Sequence, residues 1–240
     1  MFAGAVAVVQ DALTTIVDWR PAGDIEGQYA LDLVADAPVC AHLVAAGVGV
    51  LSEESGLHHA DRDIVVVVDP VDGSTNASRR IPYYATSLCA VDADGPLAAM
   101  VVNLATGERF DAVRGGGARR DGQPIHASTT TDLGHALLAL NGLPDRHWGW
   151  AQCRMFGAAA LDLCAVACGR VDAYVDATTS SLGPWDYLGG MLVCTEAGAT
   201  ITDAEDRDLV VLEHRARRTP IAAATPDLHA AIRGARATAP

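Results

Sequence analysis

Apolar positions near the start of the chain recur at helical spacing. Val6, Val9, Leu13, Ile16 and Val17 fall on one face and predict a helix over residues 3–18, ended by Pro21. Asp36 is placed to cap a second helix, with Pro38 in its first turn and Gly47 just past its end. Residues 48–51 then read as a strand that delivers Ser52-Glu53-Glu54-Ser55 at its end. Residues 64–68 are β-branched without a break, as in a strand buried on both faces, and the run stops at Asp69-Pro70. Residues 83–91, 97–103 and 109–113 read as successive strands, with turn signals at Asp94-Gly95-Pro96 and Thr106-Gly107 between them.

The second half interleaves the two patterns. A strand near 136–140 precedes a helix over 158–168, a strand over 173–175 and a helix opened by Pro184 that runs to residue 197. Strands follow near Ile201, 209–212 and 221–223. A last helix starts at Pro226, and the residues after Gly234 are expected to fray. No internal repeat or linker-like stretch interrupts the chain. The pattern predicts one mixed α/β (α+β) domain spanning 1–240, built of two packed halves, 1–135 and 136–240.

Composition narrows the partners. The 240 residues are 50% hydrophobic and 20% charged, enough apolar material for a sizeable core. No apolar stretch approaches the roughly 20 residues of a membrane span. Residues 1–10 are apolar but lack a basic flank, so they read as helix rather than signal peptide. The formal charge of -13 argues against nucleic acid as the main partner, because phosphate backbones bind basic clusters. Cys40, Cys89, Cys153, Cys164, Cys168 and Cys194 form no CxxC pair. They read as small buried hydrophobes of a reducing, cytoplasmic compartment.

The chemistry concentrates in Asp69-Pro70-Val71-Asp72-Gly73-Ser74-Thr75-Asn76. Two carboxylates sit three residues apart where a buried strand stops, with Pro70 as a rigid turn between them. Ser74 and Thr75 place backbone N–H groups at a predicted helix start, which attracts anions. Hard oxygen ligands beside an anion seat are what metal-assisted phosphoryl transfer requires. In isolation, Asp-x-x-Asp-Gly would be a capped turn with Asp72 as the cap. Glu53 and Glu54 at the end of another strand, Asp186 in the first turn of a helix and Asp32 in the apolar stretch 31–34 argue for more. Such carboxylates are costly near a core unless a cation or hydrogen bonds balance them.

With these motifs in order, the chain resembles the inositol monophosphatase family of magnesium-dependent, lithium-sensitive phosphatases. Ser52-Glu53-Glu54-Ser55, then residues 69–76, then Trp185-Asp186 leading to Glu196-Ala197-Gly198-Ala199 carry the resemblance. Weaker matches at 103–107, 114–118, 121–125 and 157–160 extend it over most of the chain. The resemblance implies a layered αβαβα sandwich, often a homodimer, acting on a small phosphorylated substrate away from any membrane. It implies two or three magnesium ions, with manganese as a substitute. Glu53, Asp69 and the Val71 carbonyl would hold the first ion, and Asp69, Asp72 and Asp186 the second. Ser74, aided by Glu53 and Asp32, would position a water for direct in-line attack, with no phosphoenzyme. Gly73 and Ser74 would hold the phosphate, and Asp72, Ala159, Asp176 and Asp186 would line the rest of the substrate. Inositol monophosphate or a related polyol or sugar phosphate ranks first as substrate. Histidinol phosphate, a nucleotide 3'-phosphate, or a regulatory binding role that keeps the fold are the alternatives.

The chain departs from the family pattern in four places. Ser74 stands where Thr is common, Ala77 replaces an aromatic residue, residues 176–185 are longer than usual, and the segment before Asp32 is short, with residues 23–27 expected to be weakly ordered. Elsewhere the plainer readings are preferred: His58 and His59 in a polar loop, Trp148 and Trp150 in packing, Arg79 and Arg80 in surface pairing. Gly115-Gly116-Gly117 reads as a turn, because it lacks the Lys and helix of a phosphate loop.

Overall fold

The structure, a computed structural model, describes residues 1–16, 19 and 29–237. The chain opens with α1 (Phe2–Thr14) and α2 (Ala30–Ala45), then enters β1 (Gly49–Ser52), β2 (Gly56–His58) and β3 (Val65–Asp72). A short α3 (Ser74–Ser78) precedes β4 (Ala85–Asp92), β5 (Gly95–Asn103), β6 (Arg109–Val113), β7 (Ala118–Arg120) and β8 (Gln123–Pro124). The rest runs β9 (Leu137–Asn141), β10 (Gln152–Arg154), α4 (Ala159–Ala167), β11 (Ala173–Asp176), α5 (Pro184–Glu196), β12 (Thr200–Asp203), β13 (Pro220–Ala223) and α6 (Pro226–Ala237).

Two sheets result among the described residues. The larger has the order β2-β1-β3-β4-β5-β6-β7-β8, with β1 and β3 parallel and the other neighbours antiparallel. The smaller has the order β10-β9-β11-β13-β12 and is also mixed. Strand alternation sets the layers. On one face of the larger sheet, Val66, Val68 and Leu88 pack against Val9, Leu31 and Leu43 of α1 and α2. On the other, Val65, Val67 and Val101 meet Leu163 of α4 and Leu188 of α5. Tyr174 and Ala222 of the smaller sheet close that core from the far side. Leu138, Val175 and Ile221 then face Leu228 and Ile232 of α6. This is the expected αβαβα sandwich.

Several elements differ from expectation for physical reasons. The second helix starts at Ala30, not near Asp36, because Tyr29 caps it and its N–H bonds the Asp32 carboxylate at 2.9 Å. Pro38 lies inside this helix, on its solvent side with Leu33, Val34 and Ala37. Asp36 is buried there and accepts the Ser52 hydroxyl. Residues 209–212 form no strand; Leu209 is buried and its carbonyl accepts the Tyr187 hydroxyl at 2.8 Å. The last helix continues past Gly234 to Ala237. His58 belongs to the hairpin strand β2, not to a loop. The short strand β10 went unread because its three residues carry no usable period. Trp148 and Trp150 pack edge to face in the core beneath α6, as the packing reading holds. Val17, Pro21 and residues 23–27 lie outside the described residues.

Helix α5 is wedged between the larger sheet and α4. A Cβ at Gly190 would sit 2.6 Å from Leu163 Cβ and 3.0 Å from the Ala160 carbonyl. Gly190→Ala gains about 1 kcal/mol of helix propensity but overpacks this contact. A net destabilisation of about 1–2 kcal/mol is expected in chemical denaturation; a stabilised variant would contradict the close approach.

Candidate metal and phosphate site

Parallel pairing puts the carboxylates together. Ser52 of β1 is in register with Val68 of β3, so Glu53 emerges beside Asp69 at the carboxyl ends of both strands. The Glu53 N–H reaches the Val68 carbonyl at 3.3 Å. In a regular strand, residues three apart point to opposite faces. Here β3 does not stop at Asp69, as the sequence suggested, but runs on to Asp72 through a register shift at Pro70 and Val71. That irregularity cancels the alternation and turns Asp69 and Asp72 the same way. Pro70, which has no N–H to pair, fits such a break. Asp69 keeps the parity of Val65 and Val67, so it faces α4 and α5.

Those two helices present their N-termini to the cluster. The Ala160 N–H donates to Asp72 at 2.7 Å, and the Gly183 N–H donates to Asp186 at 2.6 Å. One carboxylate oxygen each from Asp69, Asp72 and Asp186 lies within 4.8 Å of the others. Asp69 is 1% exposed and Asp72 7%. Among the described residues, no arginine forms an ion pair with any of the three or with Glu53.

Burial, and then the negative neighbours, push these groups up. Glu53 rises to about 8 through burial and through Asp186, Glu54 and Asp32. Asp186 rises to about 8 through burial and Asp72. Burial takes Asp72 to about 8 against the pull of the Ala160 N–H, and takes Asp69 well above the carboxylate range. Without cations the cluster holds protons at neutral pH. Carboxylate oxygens that are acceptor-only once ionised, that converge on one point and that make no ion pair, with only Arg217 pulling electrostatically on Asp186, suit a hard divalent cation.

The phosphate side is a turn. Gly73 has φ of 87°, and a Cβ there would meet Ala158 Cβ and the Gly157 carbonyl, both at 3.1 Å. The first bond of α3 runs from the Ala77 N–H to the Gly73 carbonyl, so the N–H groups of Ser74 and Thr75 precede the helical ladder. The Ser74 hydroxyl lies 2.7 Å from Asp32 and 2.9 Å from the Val71 carbonyl. Asp32, which the sequence linked to the candidate site, thus meets Ser74 at this turn; burial raises it to about 6 against the Ser74 hydrogen bond. Asp36 stands one step behind, on Ser52.

The remaining predicted residues spread around this centre. Ala159 opens α4 beside Asp72. Asp176 ends β11, fully buried, and its carboxylate accepts from Asn141 at the end of β9 and from Thr178 and Ser181 of its own loop. Arg207 and Thr219 bind Ser180, which fastens the long 176–185 loop to the segment after β12. Sequence reading missed three supports. Asn76 ties α3 to Tyr83 and Phe156 through their carbonyls, at 2.8 and 2.7 Å. Glu196 anchors the glycine turn, accepting from Gly115 and Gly117 at 2.8 and 2.9 Å. His214 reaches the Glu53 carbonyl at 2.7 Å. The first two lie in quoted motifs and were findable; nothing around His214 signals its contact.

The raised carboxylates give a signed pH dependence. The folded state retains protons that the unfolded chain releases between about pH 4 and 8, so metal-free stability falls as pH rises through that window. A bound cation replaces those protons. The melting-temperature increment from excess magnesium should therefore grow from about pH 5 to about pH 8. A pH-independent increment would contradict the site.

Comparison with known proteins identifies the family and the fold. Residues 30–239 match the inositol monophosphatase family. The Nus factor SuhB of Salmonella typhimurium is 36% identical over 170 residues, 64% of this chain and 62% of that protein, so the chain spans under two thirds of that relative. A fructose-1,6-bisphosphatase/inositol-1-monophosphatase of Archaeoglobus fulgidus is 35% identical over 184 residues, 75% of this chain and 71% of that one. A Pyrococcus horikoshii structure, described as having similarities to inositol-1 monophosphatase, superposes with a TM-score of 0.85 at 25% identity, covering 97% of this chain and 96% of that one. The chain, with its carboxylate-bearing strand ends and its layered sandwich, belongs to the inositol monophosphatase family.

Proposed function

We propose that this protein is a magnesium-dependent phosphomonoesterase acting on a small soluble ester, a polyol or sugar phosphate such as inositol monophosphate. The convergence of Asp69, Asp72 and Asp186 beside the Ser74–Asp32 pair carries this reading. Glu53, Asp69 and the Val71 carbonyl would hold one ion, and Asp69, Asp72 and Asp186 another. The ions supply Lewis-acid stabilisation of charge on the phosphoryl and leaving oxygens.

The chain's own groups orient and move the proton. Ser74 has one hydroxyl proton and two acceptors, Asp32 and the Val71 carbonyl. With that proton committed, its lone pairs are left to accept a hydrogen bond from an incoming water. Asp32, raised to about 6, is matched to receive a proton through Ser74 near neutral pH. Backbone N–H groups at Gly73 and Ser74 would seat the phosphate. The Ala159 methyl and the Asp176 loop would bound the rest of the substrate. A cytoplasmic homodimer completes the reading.

A second reading, a binding protein that keeps the fold, draws on the Nus factor name of the Salmonella relative. The full carboxylate set here favours catalysis. Phosphate release from a panel of monoesters, with and without magnesium, separates the two. In Asp72→Asn the amide oxygen still accepts the Ala160 N–H, so the fold should persist while turnover falls about a hundredfold or more. Near-normal turnover in that variant would sink the metal assignment. Magnesium binding by the wild type with no release from any ester would favour the binding role.

A further inference from the structure

The 176–185 loop leads from the end of β11 to the start of α5, and its first residue is the acid that the resemblance assigns to the substrate. The protein itself already uses that acid. Asp176 is 0% exposed. Its Oδ1 accepts the Thr178 N–H at 3.0 Å, the Thr178 hydroxyl at 2.6 Å and the Asn141 amide at 3.2 Å. Its Oδ2 accepts the Ser181 hydroxyl at 3.0 Å. Four donors thus meet a group with about four acceptor positions. A substrate hydroxyl would reach Asp176 only by displacing the loop.

The loop is also fixed from behind. Arg236 of α6 donates to the carbonyls of Asp176 and Thr178. The Ser180 N–H donates to Thr219 Oγ1 at 2.8 Å. Arg207, itself paired with the buried Asp203, donates to Ser180 Oγ at 2.9 Å. Leu182 and Arg218 exchange backbone hydrogen bonds. Ser180 has φ of 52°, a left-handed conformation that a non-glycine residue keeps where its surroundings over-determine it. On the β9 side, a Cβ at Gly142 would sit 2.4 Å from Thr178 Cγ2, so no space is left there either. The far end of the loop meets the carboxylate centre, where the Gly183 N–H donates to Asp186. Between Asp176 and that end, Thr179 and Ser181 are the exposed residues, and Ser181 is the one bonded to Asp176. With its hydrogen committed there, Ser181 Oγ faces outward as an acceptor.

We propose that Asp176 is a latch for the lengthened loop rather than a substrate ligand, and that the exposed Ser181 hydroxyl is the group that selects among hydroxyl-bearing esters. This rests on the phosphatase reading and revises one of its substrate contacts. A free carboxylate would accept a substrate hydroxyl through a charge-assisted bond, roughly twice as strong as a neutral one. A serine oxygen gives the neutral bond, so preference among polyol esters is modest.

The test compares inositol 1-phosphate with cyclohexyl phosphate, the same ring without its other hydroxyls. The wild type, Asp176→Asn, Thr178→Val and Ser181→Ala are measured. Preference is taken from kcat/KM and from calorimetric binding with magnesium. Loop order is read from amide hydrogen exchange over residues 177–183. Ser181→Ala should cut the preference for inositol 1-phosphate about fivefold or more, mainly through KM. Asp176→Asn turns one acceptor oxygen into a donor, and Thr178→Val removes one donor. The two should act alike, each speeding loop exchange about tenfold or more and neither lowering the preference beyond Ser181→Ala. Unchanged exchange in Asp176→Asn overturns the latch. So does a loss of preference in Asp176→Asn that Thr178→Val does not share, which would return Asp176 to the substrate. An unchanged preference in Ser181→Ala overturns the serine assignment. Should neither ester be hydrolysed, the phosphatase reading fails, and binding preference with loop exchange decides the proposal by the same criteria. Absence of ester binding as well would overturn the serine assignment too.

Discussion

Carboxylates crowded where water is excluded repel one another and lose their hydration, and hydrogen bonds alone do not offset both costs. The centre of this fold is arranged around that conflict. Asp69 and Asp72 are forced together by a break in an otherwise fully buried strand. Glu53 arrives from the parallel neighbour and Asp186 from the start of a helix. Backbone N–H groups at the openings of α4 and α5 meet two of the four. What they leave uncompensated is negative, which suits the centre to cations and favours its protonated forms without them.

The layers serve this arrangement. The parallel pair β1 and β3 is what brings two sequence-distant acids to one edge, since parallel strands end side by side. The α4 and α5 helices fill the space between the sheets and deliver their N-termini to that edge. The close approach at Gly190 belongs to the same design, because α5 must reach both the sheet and α4 to place Asp186. Supports with no ligand role follow from it: Asn76 ties the phosphate turn to the entry of α4, and Glu196 staples the far end of α5 to the glycine turn.

Most of the fold was legible because its signals are local. The five-residue β-branched run, the glycine-bounded turns and Pro184 at a helix start each state a preference that the core then satisfies. The candidate ligands were legible through motif order. Elements failed where the deciding contact is distant. Asp36 looks like a helix cap, but Tyr29 and Asp32 begin the helix earlier, and Ser52 claims the Asp36 carboxylate. Residues 209–212 carry a strand composition yet find no ladder partner, since Leu209 serves α5 through Tyr187 instead. His214 reaches Glu53 across 161 residues of sequence, and no local pattern encodes that. Asp176, to which the resemblance points, lies behind its own loop, whose Thr178 and Ser181 hydroxyls donate to its two carboxylate oxygens.

The central claim is that the Asp69–Asp72–Asp186 cluster with Glu53 is a divalent-cation site. Crystals grown with manganese, measured near its absorption edge, test it most directly. The account predicts anomalous density between Asp69, Asp72 and Asp186, with a further peak towards Glu53 and the Val71 carbonyl. A well-ordered site with no anomalous peak among these carboxylates would contradict it.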